Sequence, residues 1–586
     1  MARLFSRHLV IAAIVACTFT LVGCKPRETA EPVGRAPGAP AGKGVAVRIP
    51  EPLDIASDKV MGCVIIPDLE ASIDHIEEIA AAFAPEQAPQ GMLKRQVETM
   101  LNDPGLIYLD DVMPLVLMVL KTDQPDEPPP IAMFMKSVAD QPYGEAAKRI
   151  GLVNKTVDGV LIAARTSDLL QTAEELVPEY QKIDASDVKG DIRIALDINR
   201  VMAVYQSKIE TQVDTMVGTI GGLSAMGRPG ADPAQIAKLL KLEMKALITL
   251  LGDVELIQLD VGLAADAIAI DEIVVAKDGS GLADLFGGPP VGENRALGIL
   301  SEPGFLTYAL QLDPKRLSDF ALGFIDQLKE DPDAADFLTP ELVGLYEGIG
   351  EWLGSDMAFT MRETLDTPFA SETVMQVKDE AKCLAMVEQG MSLLAPGSAF
   401  SNMYKEMGME LSMALEKDVR NHAGVSVHRI KTDIDMPDIP EAQAAQMKKM
   451  MRDMEVAFAK GYYLASQDPA SLDKMIDRVL AGPKADGVAL RAREVFGAGQ
   501  RVYVDLEFIA MLKATMAMVP PGTPNPVAMF LDQVTSTEPI ASAVAWAGGK
   551  AQVKVKIPLS PFIEIAKAAQ GAFGAPAPSP ATPDSQ

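Results

Sequence analysis

The stretch "GYYLASQDPASLDKMIDRVL", Gly461 to Leu480, decides the reading of the fold. It starts as a short apolar strand and turns at Asp468, which is placed to cap a helix opening on Pro469. Leu472, Met475, Ile476, Val479 and Leu480 then recur at i, i+3, i+4, i+7 and i+8, one apolar stripe that must face a core. Far upstream, "GVLIAARTSDLLQTAEELV", Gly159 to Val177, repeats the unit with Thr166 in the capping place. The two share a glycine before the strand, a capping oxygen and the stripe. Their other polar residues differ, Arg165 against Gln467 and Ser167 against Pro469. Neither copy carries a nucleophile, base or ligand set, so the shared unit reads as scaffold.

Five more blocks recur in the same order, which is the signature of an internal repeat. "GCVIIPDLEASIDHIEEIAAAF" is answered by "TYALQLDPKRLSDFALGFIDQL", and "GDIRIALDINRVM" by "GQRVYVDLEFIAML", where Asp197 faces Asp505. Many strands alternate apolar and polar residues ("VYVDLEF", "AQVKVKI"), as a sheet with one buried face requires. The expected fold class is therefore α+β: an internal duplication of two similar domains, each a largely antiparallel sheet with helices packed on one face. The first repeat spans 47–287, a hinge 288–295 ("GGPPVGEN" punctuates it) and the second repeat 296–571. Insertions distinguish the copies. The first carries 209–250, with a helix in "PAQIAKLLKLEMKALITLL", and the second carries 393–457, with two methionine-rich helical runs.

The first residues concern location. Arg3, Arg7 and His8 precede the apolar run "LVIAAIVACTFTLV", which is too short for a comfortable membrane span and has the length of a signal-peptide core. The run ends in "LVGC", Leu21 to Cys24, which resembles the lipobox of bacterial lipoproteins. The resemblance implies cleavage of a signal peptide 1–23, diacylglyceryl transfer to the Cys24 thiol and acylation of the new amino terminus. Lys25, rather than aspartate, follows the cysteine, and by the same resemblance points to the outer membrane, facing the periplasm. Residues 24–46, rich in Pro, Gly and Ala, read as a tether, and 572–586 as a disordered tail. Beyond the lipobox, the mature region resembles large bacterial lipoproteins in its duplicated build.

With 81 acidic against 53 basic side chains and a net charge of −28, the chain repels phosphate backbones, so no nucleic-acid partner is expected. Membrane contact is expected only through the N-terminal lipid. Cys63 and Cys383 both lie in apolar surroundings and read as buried thiols, although an oxidising compartment permits a disulfide between them.

Catalytic and metal signals are thin. His75 reads as solvent-facing on a helix, and His422 and His428 as solvent-facing residues on one face of an extended segment, without metal-site spacing. Ser224 in "GGLSAMG" lacks the frame of a nucleophile elbow and reads as loop. The acidic runs 330–336 and 433–438 lack calcium-loop spacing. No cofactor, metal or catalytic residue is expected.

The 31 methionines are the compositional oddity. Met403 and Met407, and then Met447, Met450, Met451 and Met454, fall near helical spacing inside the second insertion. They form packing filler, an adaptable apolar contact surface or thioether ligands for Cu(I). The leading expectation is a lipid-anchored, non-enzymatic binding or envelope-interaction protein, acting through those methionines or a cleft between the halves. One alternative is a carrier of an apolar ligand or lipid in a cavity between helices and sheet. Another is a hydrolase with carboxylates assembled from scattered positions.

Overall fold

A computed structural model describes residues 48–573 apart from 85–90, 228–232, 290–291, 293, 330–339, 365–368, 394–397, 399–400, 402–404, 406–409, 436–447, 449–451, 484–494, 498 and 518–530. Its centre is one antiparallel sheet of 18 strands. The first run comprises β1 (Val60–Ile66), β2 (Leu115–Leu120), β3 (Ile131–Lys136), β4 (Val153–Val157), β5 (Val160–Ala164), β6 (Ile192–Asp197), β7 (Val254–Leu263) and β8 (Ala267–Ala276). The second comprises β9 (Leu306–Gln311), β10 (Leu353–Arg362), β11 (Ala370–Val377), β12 (Glu410–His422), β13 (Val425–Asp435), β14 (Met454–Ala459), β15 (Tyr462–Ser466), β16 (Val502–Leu506), β17 (Ile540–Ala547) and β18 (Lys550–Pro558).

Following the pairings, the first run lies in the order 4-5-3-2-1-6-7-8. The second lies in the order 12-13-14-15-11-10-9-16-17-18. β8 and β18 pair from Lys550↔Val275 to Pro558↔Ala267 and join the runs into a single sheet.

The helices named below are α1 (Leu69–Phe83), α2 (Met92–Leu101), α3 (Tyr143–Arg149), α4 (Ser167–Glu174), α5 (Val177–Lys182), α6 (Ile198–Gly227) and α7 (Pro233–Gly252) in the first run. The first run ends in α8 (Gly281–Phe286), and the second run adds α9 (Pro314–Leu328), α10 (Pro340–Trp352), α11 (Glu380–Leu393), α12 (Pro469–Ala481) and α13 (Ser560–Phe573).

The opening unit folds as its sequence requires. Lys460 and Gly461 take φ of 46° and 79°, and Asp158 and Gly159 take 49° and 76°. Paired left-handed residues are what a tight β-hairpin needs, so each glycine turns the chain into β15 or β5. Asp468 accepts from the Ala470 N–H at the start of α12, and Thr166 accepts from the Leu169 N–H at the start of α4. Leu472, Met475 and Ile476 are fully buried. At about 1.5–3 kcal/mol per buried apolar side chain, this stripe, far more than helix propensity, holds α12 on the sheet.

Helices cover both faces of the sheet, which corrects the one-face expectation. Tyr462 and Leu464 meet α12, whereas Tyr463 and Ala465 meet the core formed by α9, α10 and α11 with Ile325, Ile349 and Cys383. In the first run, Val160 and Ile162 face α4 and α5, and Leu161 joins the cluster of α1 and α2. Burial on both sides is why β5 and β15 read as continuous apolar runs.

The second insertion differs from its expectation. Met454 opens β14 and does not sit on a helix. Met403, Met407, Met447, Met450 and Met451 lie outside the described residues, as does Cys24. β12 and β13 form a long hairpin turning at Ala423 and Gly424, with φ of 51° and 86°. That turn puts His422 and His428 on facing strands rather than on one extended segment. Ser224 lies within α6 and not in a loop.

Candidate functional site

One row of residues runs across the sheet beneath α12. Successive register partners Asp505, Thr307, Thr360, Glu372 and Ser466 come from β16, β9, β10, β11 and β15, and all are buried. In the first run the corresponding rung reads Ala195, Cys63, Met118, Ala132 and Ala164, on strands occupying the same places in the order. Each rung ends two residues before a helix cap, Asp468 or Thr166. This register corrects the match of Asp197 with Asp505, because Ala195 holds the place of Asp505. Asp197 instead binds Arg200 at 2.9 Å at the start of α6.

A polar row under a helix needs partners, because an unpaired buried charge is costly. Glu372 accepts from the Ser301 N–H (2.9 Å) and hydroxyl (2.5 Å) and from Arg362 Nε at 3.0 Å. Arg362 also donates to Asp468 at 3.2 Å and to the Ser471 hydroxyl, tying the cap of α12 to the sheet. Thr307 and Thr360 share a hydroxyl contact at 3.2 Å, and the Tyr503 hydroxyl donates to Asp505 at 3.1 Å.

The β12–β13 hairpin is clamped to the same helix. Arg420 reaches Glu455 at 2.7 Å and Asp473 at 2.6 Å, and Arg429 reaches Glu455 at 3.2 Å. His422 Nε2 meets Asp477 at 2.9 Å. These are bonds that position α12 and the hairpin. They offer no free nucleophile.

The remaining expected site residues are dispersed. His75 pairs with Asp191 at 2.7 Å. His428 is buried, contrary to expectation, and accepts from the Asp418 N–H at 3.0 Å. Cys63 and Cys383 lie buried in separate cores, and no disulfide joins them. Burial pushes the Cys63 thiol up to about 12, which keeps it protonated and inert. Among the described residues, no group of three or more His, Cys, Asp or Glu side chains converges as a metal site. No helix among them is long and apolar enough to cross a membrane.

A groove of about 650 Å³ lies along the seam of α6 and α7. Met202, Val213 and Ile248 supply apolar lining and belong to the cluster that packs α6 on α7. Lys241, Lys245 and Lys277 line it together with Glu210 and Asp214. Gln327, from α9, also lines it, so both runs contribute to the groove. The signal for it in the sequence was the insertion 209–250, and what was not visible was that Lys277 and Gln327 would meet it. Compared with known families, curated proteins and solved structures, the chain matches none of them.

Proposed function

We propose that this chain is a lipid-anchored, periplasm-facing binding protein without enzymatic activity, built on a duplicated scaffold. The lipobox-like "LVGC" supports the anchor at Cys24, with 24–46 as tether to the outer membrane. Two lipid signals or more are needed for stable attachment, which diacylglyceryl transfer and N-acylation together supply.

The duplication is supported by the strand order. Once the β12–β13 hairpin is set aside, 14-15-11-10-9-16-17-18 repeats 4-5-3-2-1-6-7-8 place for place. Reciprocal packing supports it too, since α8 of the first copy meets α9 of the second and α13 of the second meets α1 of the first. The repeats would be 47–287 and 296–571, joined at 288–295.

The observation that carries the binding reading is where the copies part. The α6–α7 pair and the β12–β13 hairpin are large additions to a common sheet, and the groove lies on the first of them. The buried carboxylates Glu372, Asp260 and Glu455 are each held by an arginine, which leaves them to structure rather than hydrolysis. An envelope protein or a small apolar ligand is the partner class. A carrier role is the second reading, favoured by the same groove. Growth of producing cells with an alkyne-tagged fatty acid tests the anchor. The wild type is expected to be labelled and membrane-bound, and Cys24→Ser unlabelled and released. Label persisting in Cys24→Ser would refute it.

A further inference from the structure

We propose that the outer face of α2 docks a second copy of this chain, the two α2 helices packing antiparallel about a two-fold axis at Gln96. The inference goes beyond the binding reading and does not rest on it. The exposed residues of α2 are Met92, Arg95, Gln96, Thr99 and Met100, a stripe at i, i+3, i+4, i+7 and i+8 that lines a shallow groove. Leu93, Val97 and Leu101 pack inward with Ile73 and Tyr143, so α2 is apolar on two sides. Thr99 donates its hydroxyl to the Arg95 carbonyl at 2.8 Å and adds no unmet donor to the stripe. Among the described residues, the exposed large apolar side chains are concentrated here. Ile76, Met92, Met100, Ile107, Ile131 and Ile150 all lie between positions 76 and 150, and the second run exposes only Val495. Such a cluster marks a contact surface, whereas apolar residues exposed singly do not.

The stripe is self-complementary, which selects a second copy as its occupant. Met92 and Met100 stand four residues either side of Gln96, about 6 Å along the axis in each direction. A two-fold at Gln96 therefore sets Met92 on Met100 of the second copy and Gln96 on its own mate, as an isologous contact requires. A polar side chain at the centre of an apolar seam fixes register, because a slip buries its amide against methionine. Charge agrees with this pairing. Arg95 and Glu98 share one flank, one residue before and two after the centre, so the two-fold brings each Arg95 beside Glu98 of the other copy. The stripe itself holds no carboxylate in a chain with 81 acidic side chains, and the charge elsewhere is screened beyond about 8 Å at physiological salt. A stable dimer buries about 800 Å² per partner, more than one short helix offers. Ile76, Ile107 and Ile150 extend the apolar surface, on α1, the turn 104–106 and α3, all of which touch α2.

The test is disulfide trapping in cells producing the full chain with Gln96→Cys, oxidised with copper phenanthroline and read on a non-reducing gel. A reducible band at twice the chain mass is expected, absent from the parent chain and from Asp278→Cys, an exposed turn position. Adding Met92→Glu and Met100→Glu is expected to remove the band without moving the thermal melt, because both side chains are about half exposed, 46% and 54%. Adding Arg95→Glu is expected to weaken the band several-fold, and Arg95→Glu with Glu98→Arg to restore it, which no role confined to one copy would do. The proposal is overturned by a band no stronger than that of Asp278→Cys, by one that the methionine changes leave intact, or by failure of the charge swap to restore it. A disulfide to a protein of another mass would overturn it in favour of a different partner. Quenching of a bimane on the Gln96→Cys variant by spin-labelled lipid would overturn it in favour of the bilayer.

Discussion

At the scale of residues, Arg362 is the pivot of the second run. It spans Glu372, whose side chain is fully buried, and Asp468 at the cap of α12. Removing one member of a buried ion pair leaves the other charge uncompensated, which typically costs about 3–5 kcal/mol. Arg362→Ala is therefore expected to lower unfolding stability by about that amount in a urea titration, and Glu372→Gln added to it to restore part of the loss. Equal stability of wild type and single variant would remove the pivot. The thiols give a second expectation. Cys63 and Cys383, buried in separate cores, should react with a thiol reagent only at the rate of unfolding, and prompt labelling of the native chain would contradict their burial. The cap at Asp468 was legible from spacing alone, whereas its bond to Arg362 was not, because nothing local joins positions 362 and 468.

At the scale of elements, α12 shows what sequence pattern can carry. Its stripe, cap and preceding strand are local properties, and all three sit where periodicity and turn chemistry put them. Leu472→Ala should cost about 2–5 kcal/mol, as a fully buried leucine does. Asp468→Ala should cost nearer 1 kcal/mol for the cap, plus whatever the Arg362 contact contributes. Similar losses for the two in one denaturation series would mean that packing does not dominate. The β12–β13 hairpin shows the opposite case. The period-two pattern of "ELSMALEKDVRNH" and the turn glycine, Gly424, were better guides to it than the methionine spacing of the surrounding insertion. The faces of β5 and β15 were likewise hidden, because a short apolar run does not say whether one side or both are covered.

At the scale of the whole molecule, the two runs are not separate bodies beside a cleft. β8 and β18, nearly 300 residues apart in sequence (|i−j| is 281 between Gln552 and Asp271), make the sheet continuous. Such pairing is non-local and leaves no periodic trace, which is why sequence favoured two domains and a hinge. That hinge is also held: Arg501, stacked 4.9 Å over Trp546, donates to the carbonyls of Gly288 and Pro289. The continuous sheet places the groove where residues of both runs meet, so the binding reading depends on the seam. Hydrogen exchange followed by mass spectrometry across Ala267–Ala276 and Lys550–Pro558 tests it most directly. The seam is expected to exchange as slowly as β1 and β9 and to open with them in one cooperative event. Fast exchange along β8 and β18, with each run opening on its own, would contradict a single sheet.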